Sequence, residues 1–192
     1  MRIVGGRLRG RLLAAPDHLA TRPTSERVRE AVFNILTHGI PDFQIEGAKV
    51  LDLFAGTGAL GLEALSRGAS FCLFVEVATE ARAQIRRNIE ALGLTGVTKI
   101  YRRDATSLGP AGNLAGFGLA FLDPPYGEAV TERTLASATA GRWLAPRAMI
   151  VIEQRKDTPV VLPPEFTQVD RRSWGDTAVW FARLDAGSAM AS

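Results

Sequence analysis

The tetrapeptide Asp123-Pro124-Pro125-Tyr126, directly after the apolar run Leu119 to Leu122, is the most specific chemical feature of the chain. A strand would deliver Asp123 to the end of a sheet, and two prolines would then stiffen the turn and fix the direction of its carbonyls. A carboxylate and a carbonyl held in this way can accept both N–H groups of a planar exocyclic amine. Such an amine is a poor nucleophile, because its lone pair is delocalised into the ring. Asp123 and the Pro124 carbonyl would favour a pyramidal nitrogen and stabilise the positive charge that grows on it in the transition state. In-line placement of a sulfonium methyl supplies the rest. Tyr126 would stack on the base face, a contact worth ~1–3 kcal/mol whatever the base.

A second group of residues could hold the methyl donor. Gly56, Gly58 and Gly61 follow Asp52-Leu53-Phe54-Ala55 with the spacing of the dinucleotide fingerprint, which brings bare backbone against a ligand at the start of a helix. Asp52, just before this loop, suits a cationic amino group better than a pyrophosphate. Glu76 follows the next apolar run, Phe71 to Val75, and could accept hydrogen bonds from both ribose hydroxyls. Asp104, after Tyr101-Arg102-Arg103, could accept from an adenine amine, or could cap a turn at Ser107. Together these fit S-adenosylmethionine and fit NAD less well. The expected cofactor set is Asp52, Gly56, Thr57, Gly58, Gly61, Glu76, Asp104 and Ala105, and a side chain at Gly58 is expected to fill cofactor space.

The elements that must position these groups are legible as alternating patterns. Thr24 or Ser25 can cap a helix to about His38, with Val28, Ala31, Val32, Ile35 and Leu36 on one stripe. Strands are expected at Val50–Phe54, Phe71–Val75, Val97–Arg102, Leu119–Leu122 and Ala148–Ile152. Helices are expected at Ala59–Arg67, Thr79–Leu92 and Glu128–Ala140. The strands are continuously apolar, as in a parallel sheet covered on both faces. Phe166–Ser173 and Thr177–Leu184 flank Trp174-Gly175-Asp176 and should form a hairpin. The expected fold is α/β and doubly wound, with its ligand at the carboxyl ends of the strands.

Composition narrows the classes. A chain of 192 residues, 46% hydrophobic and 22% charged, is one domain-length with enough apolar surface for a core. One cysteine, Cys72, excludes a disulfide framework and a multi-cysteine metal site, and no metal is expected. No segment has the composition of a membrane span or a signal peptide, so a cytoplasmic monomer is expected. The net charge is +3, and all but three of the 23 basic residues are arginine. Residues 1–16 hold Arg2, Arg7, Arg9 and Arg11 and no acid. With Arg22 at the entry to the first helix, they are read as a nucleic-acid contact on a short hairpin about a glycine turn. The expected organisation is a basic arm, 1–24, a main domain, 25–184, and a disordered tail, 185–192.

The whole resembles the RsmD-type family of 16S rRNA (guanine-N2)-methyltransferases. The resemblance rests on Arg2-Ile3-Val4-Gly5-Gly6, Gly10-Arg11, Arg22-Pro23-Thr24 with Arg27-Val28-Arg29-Glu30, Asp52 to Ala64, Glu76, Asp123 to Tyr126 and Gly175-Asp176-Thr177. It implies a Rossmann-like class I methyltransferase fold with a seven-stranded sheet and S-adenosylmethionine as donor. It also implies a guanine amine of 16S rRNA as acceptor, free or within the assembled small subunit. One departure is that the family often has a second acid within two positions of the ribose acid, whereas here Val77-Ala78 follow Glu76. Rival readings are an adenine-N6 or cytosine-N4 methyltransferase of DNA, an NAD-dependent oxidoreductase, and a non-catalytic RNA-binding protein. Against the DNA enzyme, no substantial target-recognition domain fits in the remaining residues.

Overall fold

A computed structural model describes residues 1–14, 26–124 and 129–187 of the chain. Seven strands form one sheet in the order β3-β2-β1-β4-β5-β7-β6: β1 Lys49–Leu53, β2 Phe71–Val75, β3 Thr98–Tyr101, β4 Phe117–Leu122, β5 Leu144–Arg155, β6 Phe166–Trp174 and β7 Thr177–Leu184. The first five run parallel, and β7 pairs antiparallel with both β5 and β6. This is the doubly wound architecture expected from the sequence, with its strand order reversing beside β1.

Alternation along each strand divides the core into two layers. Val50, Cys72, Phe74, Phe121, Val151 and Phe181 pack on one face with α1 (Glu26–Asn34), α2 (Ala59–Ser66) and α3 (Thr79–Leu92). Leu51, Leu73, Leu122, Ile152 and Trp180 pack on the other with α4 (Val130–Ala140). Of the expected α1 stripe, Val28, Val32 and Leu36 are buried and Ala31 and Ile35 half-buried, with Arg29 and Phe33 buried beside them, and the last turn widens into a π-helical turn at Ile35–Gly39. The expected caps Thr24 and Ser25 lie outside the described residues. Strand β5 is seven residues longer than the apolar run that announced it, because pairing runs from Leu144, opposite Phe117, out to Arg155, opposite Thr177. Of the expected tail, Asp185 is tied back by its N–H to the Glu165 carbonyl (2.9 Å) and by Thr167 Oγ1 (3.0 Å). Residues 188–192 lie outside the described residues.

The start of the chain is antiparallel, yet it is not the pair of short strands expected. One bridge joins Arg2 to Leu12, with Ile3 N–H on the Arg11 carbonyl and a 3-10 turn at Gly6–Leu8. The reason is that α2 takes the backbone donors a ladder would need. Val4 N–H donates to Glu63 Oε2 (2.8 Å) and Leu8 N–H to Ser66 Oγ (2.9 Å). Gly6, at φ +73°, lies so close to the Ser66 carbonyl that no Cβ could stand there. Beneath this contact Arg29 and Glu63, both wholly buried, pair at 3.6 Å, and Arg67 Nε donates to Glu63 Oε1 at 2.8 Å. Arg29 also donates to the Arg2 carbonyl, although its Nε and Nη1 find no hydrogen-bond acceptor. Burial pulls the Arg29 guanidinium below its usual range, opposed by Glu63.

Removing one partner of a buried ion pair strands the other charge, which typically costs 3–5 kcal/mol. Glu63→Gln should therefore lower stability by about 3–5 kcal/mol in urea unfolding at neutral pH. Replacing Arg29 and Glu63 together with Met and Leu should recover most of that loss. A Glu63→Gln midpoint equal to the parent's would show that the pair contributes nothing.

Candidate active site

The glycine loop leaves β1 at its carboxyl end and enters α2. Asp52 stands under it, 2% exposed, and its Oδ2 accepts the Gly61 N–H at 3.0 Å. Gly61 is the position at which α2 meets the sheet, since a Cβ there would lie 2.5 Å from both Cys72 Sγ and Phe74 Cε1. It is a packing and donor residue, where the sequence suggested direct contact with a ligand. Gly58, at φ +77°, faces inward in the same way. Its Cβ would stand 3.2 Å from Phe74 and 3.3 Å from Ile85. The expectation that a side chain at Gly58 would fill cofactor space is therefore corrected: it would press on the core, and Gly58→Val would disturb the fold as well as the site. Among the described residues, a Cβ at Gly56 would meet only the Phe54 carbonyl within 4 Å, at 3.9 Å. Phe54 itself is left-handed, at φ +60°, a conformation that costs of order 1–3 kcal/mol in a bulky residue.

Glu76 joins the loop to the end of β2. Its Oε2 accepts the Gly56 N–H at 3.0 Å and its Oε1 the Ala78 N–H at 2.8 Å. Each carboxylate oxygen has a further lone pair to offer, so these bonds leave acceptor capacity for a pair of hydroxyls. Asp104 caps the 3-10 turn Ala105–Ser107, accepting the Thr106 N–H (2.8 Å) and hydroxyl (2.7 Å) at Oδ1. These bonds, with Arg133 nearby, hold its carboxyl below the usual range. The cap serves Thr106, one residue before the Ser107 that the sequence suggested. Ala105 is buried behind it. Asp123 is exposed just beyond β4, and Pro124 is buried. Pro125 and Tyr126 lie outside the described residues.

Asp52, the last but one residue of β1, and Glu76, Asp104 and Asp123, after β2, β3 and β4, thus all stand at the carboxyl edge. Burial, with Asp123 and Glu76 adding like charge, pushes the Asp52 carboxyl well above its usual range, against the Gly61 hydrogen bond. The same burial, with Asp52 beside it, raises the Cys72 thiol. A site of this kind attracts a cation and repels a pyrophosphate.

Three contributors were missed in the sequence. Val77, 57% exposed beside Glu76, offers an apolar face at the same edge. Asn88, buried in α3, clamps the backbone of Ala14 (N–H to Oδ1 2.9 Å, Nδ2 to carbonyl 3.1 Å) and also donates to the Thr57 carbonyl of the glycine loop (3.2 Å). Glu63 is the third. A lone polar residue on an apolar helical face was the available signal for both Asn88 and Glu63.

The arm's arginines divide. Arg2 pairs with Glu26 (2.9 Å), and Arg11 donates to the Ala91 carbonyl in the last turn of α3 (2.7 Å). Arg7 and Arg9 are exposed and make no ion pair or hydrogen bond through their side chains among the described residues. Arg22 lies outside those residues. Gly6, Leu8 and Arg11 all touch the C-terminal ends of α2 or α3. In a parallel sheet those ends lie at the edge opposite the glycine loop, whereas Ala14, further along the arm, shares Asn88 with Thr57 of that loop.

A family model described as Conserved hypothetical protein 95 matches residues 1–183. The chain is 37% identical to Ribosomal RNA small subunit methyltransferase D of Escherichia coli K12 over 85% of its length and 79% of that relative. It is 33% identical to the protein of the same name from Haemophilus influenzae, over 91% and 89%. Among solved structures it is similar to yhhF of Escherichia coli, described as a methyltransferase, with a TM-score of 0.82 and 31% identity over 97% of this chain and 98% of that one.

The unfolded chain releases the Asp52 proton near 3.8. The folded chain, with its raised value, does not, so stability falls as pH rises from there until the folded group ionises. Asp52→Asn keeps an acceptor for Gly61 and removes this penalty. Its melting temperature should match the parent's below pH 3.8 and exceed it by a widening margin towards neutrality. A gap that stays constant with pH would mean that Asp52 is ionised in the folded protein.

Proposed function

The chain belongs to the RsmD-type family of small-subunit rRNA methyltransferases, and from this premise we infer that it methylates the exocyclic N2 amine of a guanine in 16S rRNA. S-adenosylmethionine is the donor, and when bound it supplies an electrophilic methyl on sulfur. The observation that carries the donor assignment is the buried Asp52 carboxyl at the glycine turn, flanked by the acids Glu76 and Asp123. An amino acid ammonium answers that charge, and a dinucleotide pyrophosphate would add to it.

In this reading Asp52 holds the donor's ammonium, with the loop backbone at Gly56, Thr57 and Gly58 along its methionine part and Gly61 fixing Asp52 from behind. Glu76 binds the ribose hydroxyls without a second acid. Val77 covers the adenine face, Asp104 accepts from its amine and Ala105 offers an N–H to its ring. Asp123 and the Pro124 carbonyl accept the N–H groups of the guanine amine, Pro125 fixes the turn and Tyr126 stacks on the base. The nitrogen forms its bond to the methyl carbon while the carbon–sulfur bond breaks onto sulfur, and one amine proton leaves to water afterwards. The basic arm, 1–24, is a phosphate contact on rRNA, centred on Arg7 and Arg9. The main domain, 25–184, works as a cytoplasmic monomer without a metal. Among the described residues, no helix is long and apolar enough to cross a membrane.

An ammonium beside Asp52 draws its proton off, so donor-site affinity should rise with pH from acid towards neutrality. Titration calorimetry should find S-adenosylhomocysteine bound with that slope by the parent and without it by Asp52→Asn. Tighter binding of NAD would overturn the assignment.

The acceptor is tested by supplying labelled S-adenosylmethionine with small subunits from cells lacking the protein and mapping the methylated base. Asp123→Ala should cut turnover by about 10²–10³ while S-adenosylhomocysteine binding persists. A methyl on any atom other than guanine N2 would refute the acceptor.

A further inference from the structure

Beside Asp123, at the β5 end of the same edge, lies a cavity of about 580 Å³, a size typical of ligand clefts. Thr131 of α4, Gln154 and Arg155 of β5, and Val160 and Val161 of the loop that follows line it. We propose that this cavity is a pocket for the nucleobase adjoining the methylated guanine in the RNA strand, a proposal that rests on the rRNA methyltransferase reading above.

Position is the first argument. Leu122 stands opposite Ile152, so Asp123 lies one residue, and Gln154 two residues, beyond that pair. At ~4.8 Å between strands and ~3.3 Å per residue, their Cα atoms are about 6 Å apart. That is the scale of one step along a nucleic-acid strand.

Alternation then assigns the two sites to opposite faces. Phe121 packs on the α2 face, and Asp123, two residues on, shares that face with Asp52. Ile152 packs on the α4 face, and Gln154, two residues on, donates there to Thr131 Oγ1 at 3.4 Å. A target base held at Asp123 and turned towards the donor cannot also fill the cavity. Its neighbour, as the strand continues over the edge of the sheet, can.

The lining suits a base. Gln154 is 6% exposed, and its Oε1 has no hydrogen-bond partner. A buried amide oxygen without a donor is an uncompensated cost that a base-edge N–H relieves. The last torsion of glutamine is soft, so the amide can turn towards the cavity it already lines. Val161, 60% exposed, is one of four large apolar side chains left open among the described residues, and with Val160 and Pro159 it forms a wall for a ring face. Arg155 pairs with Asp157 at 3.2 Å on the other walls, which leaves Glu132 to disfavour an anion inside the cavity. Phosphates are left to the rim, where Lys156 is exposed. Arg171 lies 4.8 Å over the Trp180 ring and donates to the Lys156 carbonyl at 3.4 Å.

Two variants of the full chain test this: Val161→Asp, and Lys156→Gln combined with Arg171→Gln, each checked for unchanged melting temperature and S-adenosylhomocysteine affinity. The probes are a 16S rRNA transcript and small subunits from cells lacking the protein. Val161→Asp should weaken RNA binding about tenfold with its salt dependence unchanged and kcat retained at saturating RNA. The rim double variant should weaken binding and flatten the slope of log affinity against log salt by about two. In an RNA fragment around the mapped guanine, an abasic nucleotide on one side of the target should cost the parent about tenfold and cost Val161→Asp nothing further. Parent-like RNA affinity of Val161→Asp would overturn the pocket. So would a fall in kcat without a response to either abasic neighbour, which would make the cavity the target base's own. Failure of the parent itself to methylate small-subunit rRNA would instead remove the functional reading.

Discussion

The contact between the Asp52 carboxyl and the Gly61 N–H, buried between β1 and α2, sets the geometry of everything at the carboxyl edge. A strand covered on both faces has no room at its end for a solvated charge, so the helix that follows must either exclude the carboxyl or close over it. Here it closes. Gly61 permits the approach because a Cβ would collide with Cys72 and Phe74, and the turn that precedes it is driven into left-handed backbone at Phe54 and Gly58. The result is a carboxyl that is dry, crowded by like charge and pushed towards its neutral form.

The same edge gathers its other acids through topology alone. Parallel strands end on one side of the sheet, so the residue after each strand reaches a shared cleft however far apart the residues lie in the chain. Glu76 and Asp104 are held there by backbone donors of the adjacent turns, and each uses a carboxylate to fix a loop and to keep acceptor capacity open. Asn88 extends this frame to the start of the chain, tying Ala14 to the glycine loop through one buried amide.

The arm is held by different physics. Arg29, Glu63 and Arg67 form a buried ion cluster that offers its carboxylate to Val4 and a guanidinium N–H to the Arg2 carbonyl. Such clusters gain little net stability, because desolvation offsets attraction, but they penalise every arrangement in which one member is unpaired. The cluster therefore acts on position: it fixes the first residues of the arm against α2, while Arg7 and Arg9 face solvent.

Strand and helix limits were legible in the sequence because they depend on local period and on glycine. Phe71–Val75, Thr79–Leu92 and Thr177–Leu184 have the bounds that periodicity assigns them. Glu76 and Asp123 were legible for the same reason, since a charge directly after an apolar run has one place to go in a parallel sheet. Tertiary structure alone decided which polar groups meet. Glu63 and Arg29, Asn88 and Ala14, and Gln154 and Thr131 pair across as many as 74 residues of chain. It also decided that Gly58 and Gly61 face the core, that β5 runs on to Arg155, and that two of the arm's arginines are used within the fold. The energy of a buried polar contact comes from excluding water, and which water is excluded is settled only when the layers close.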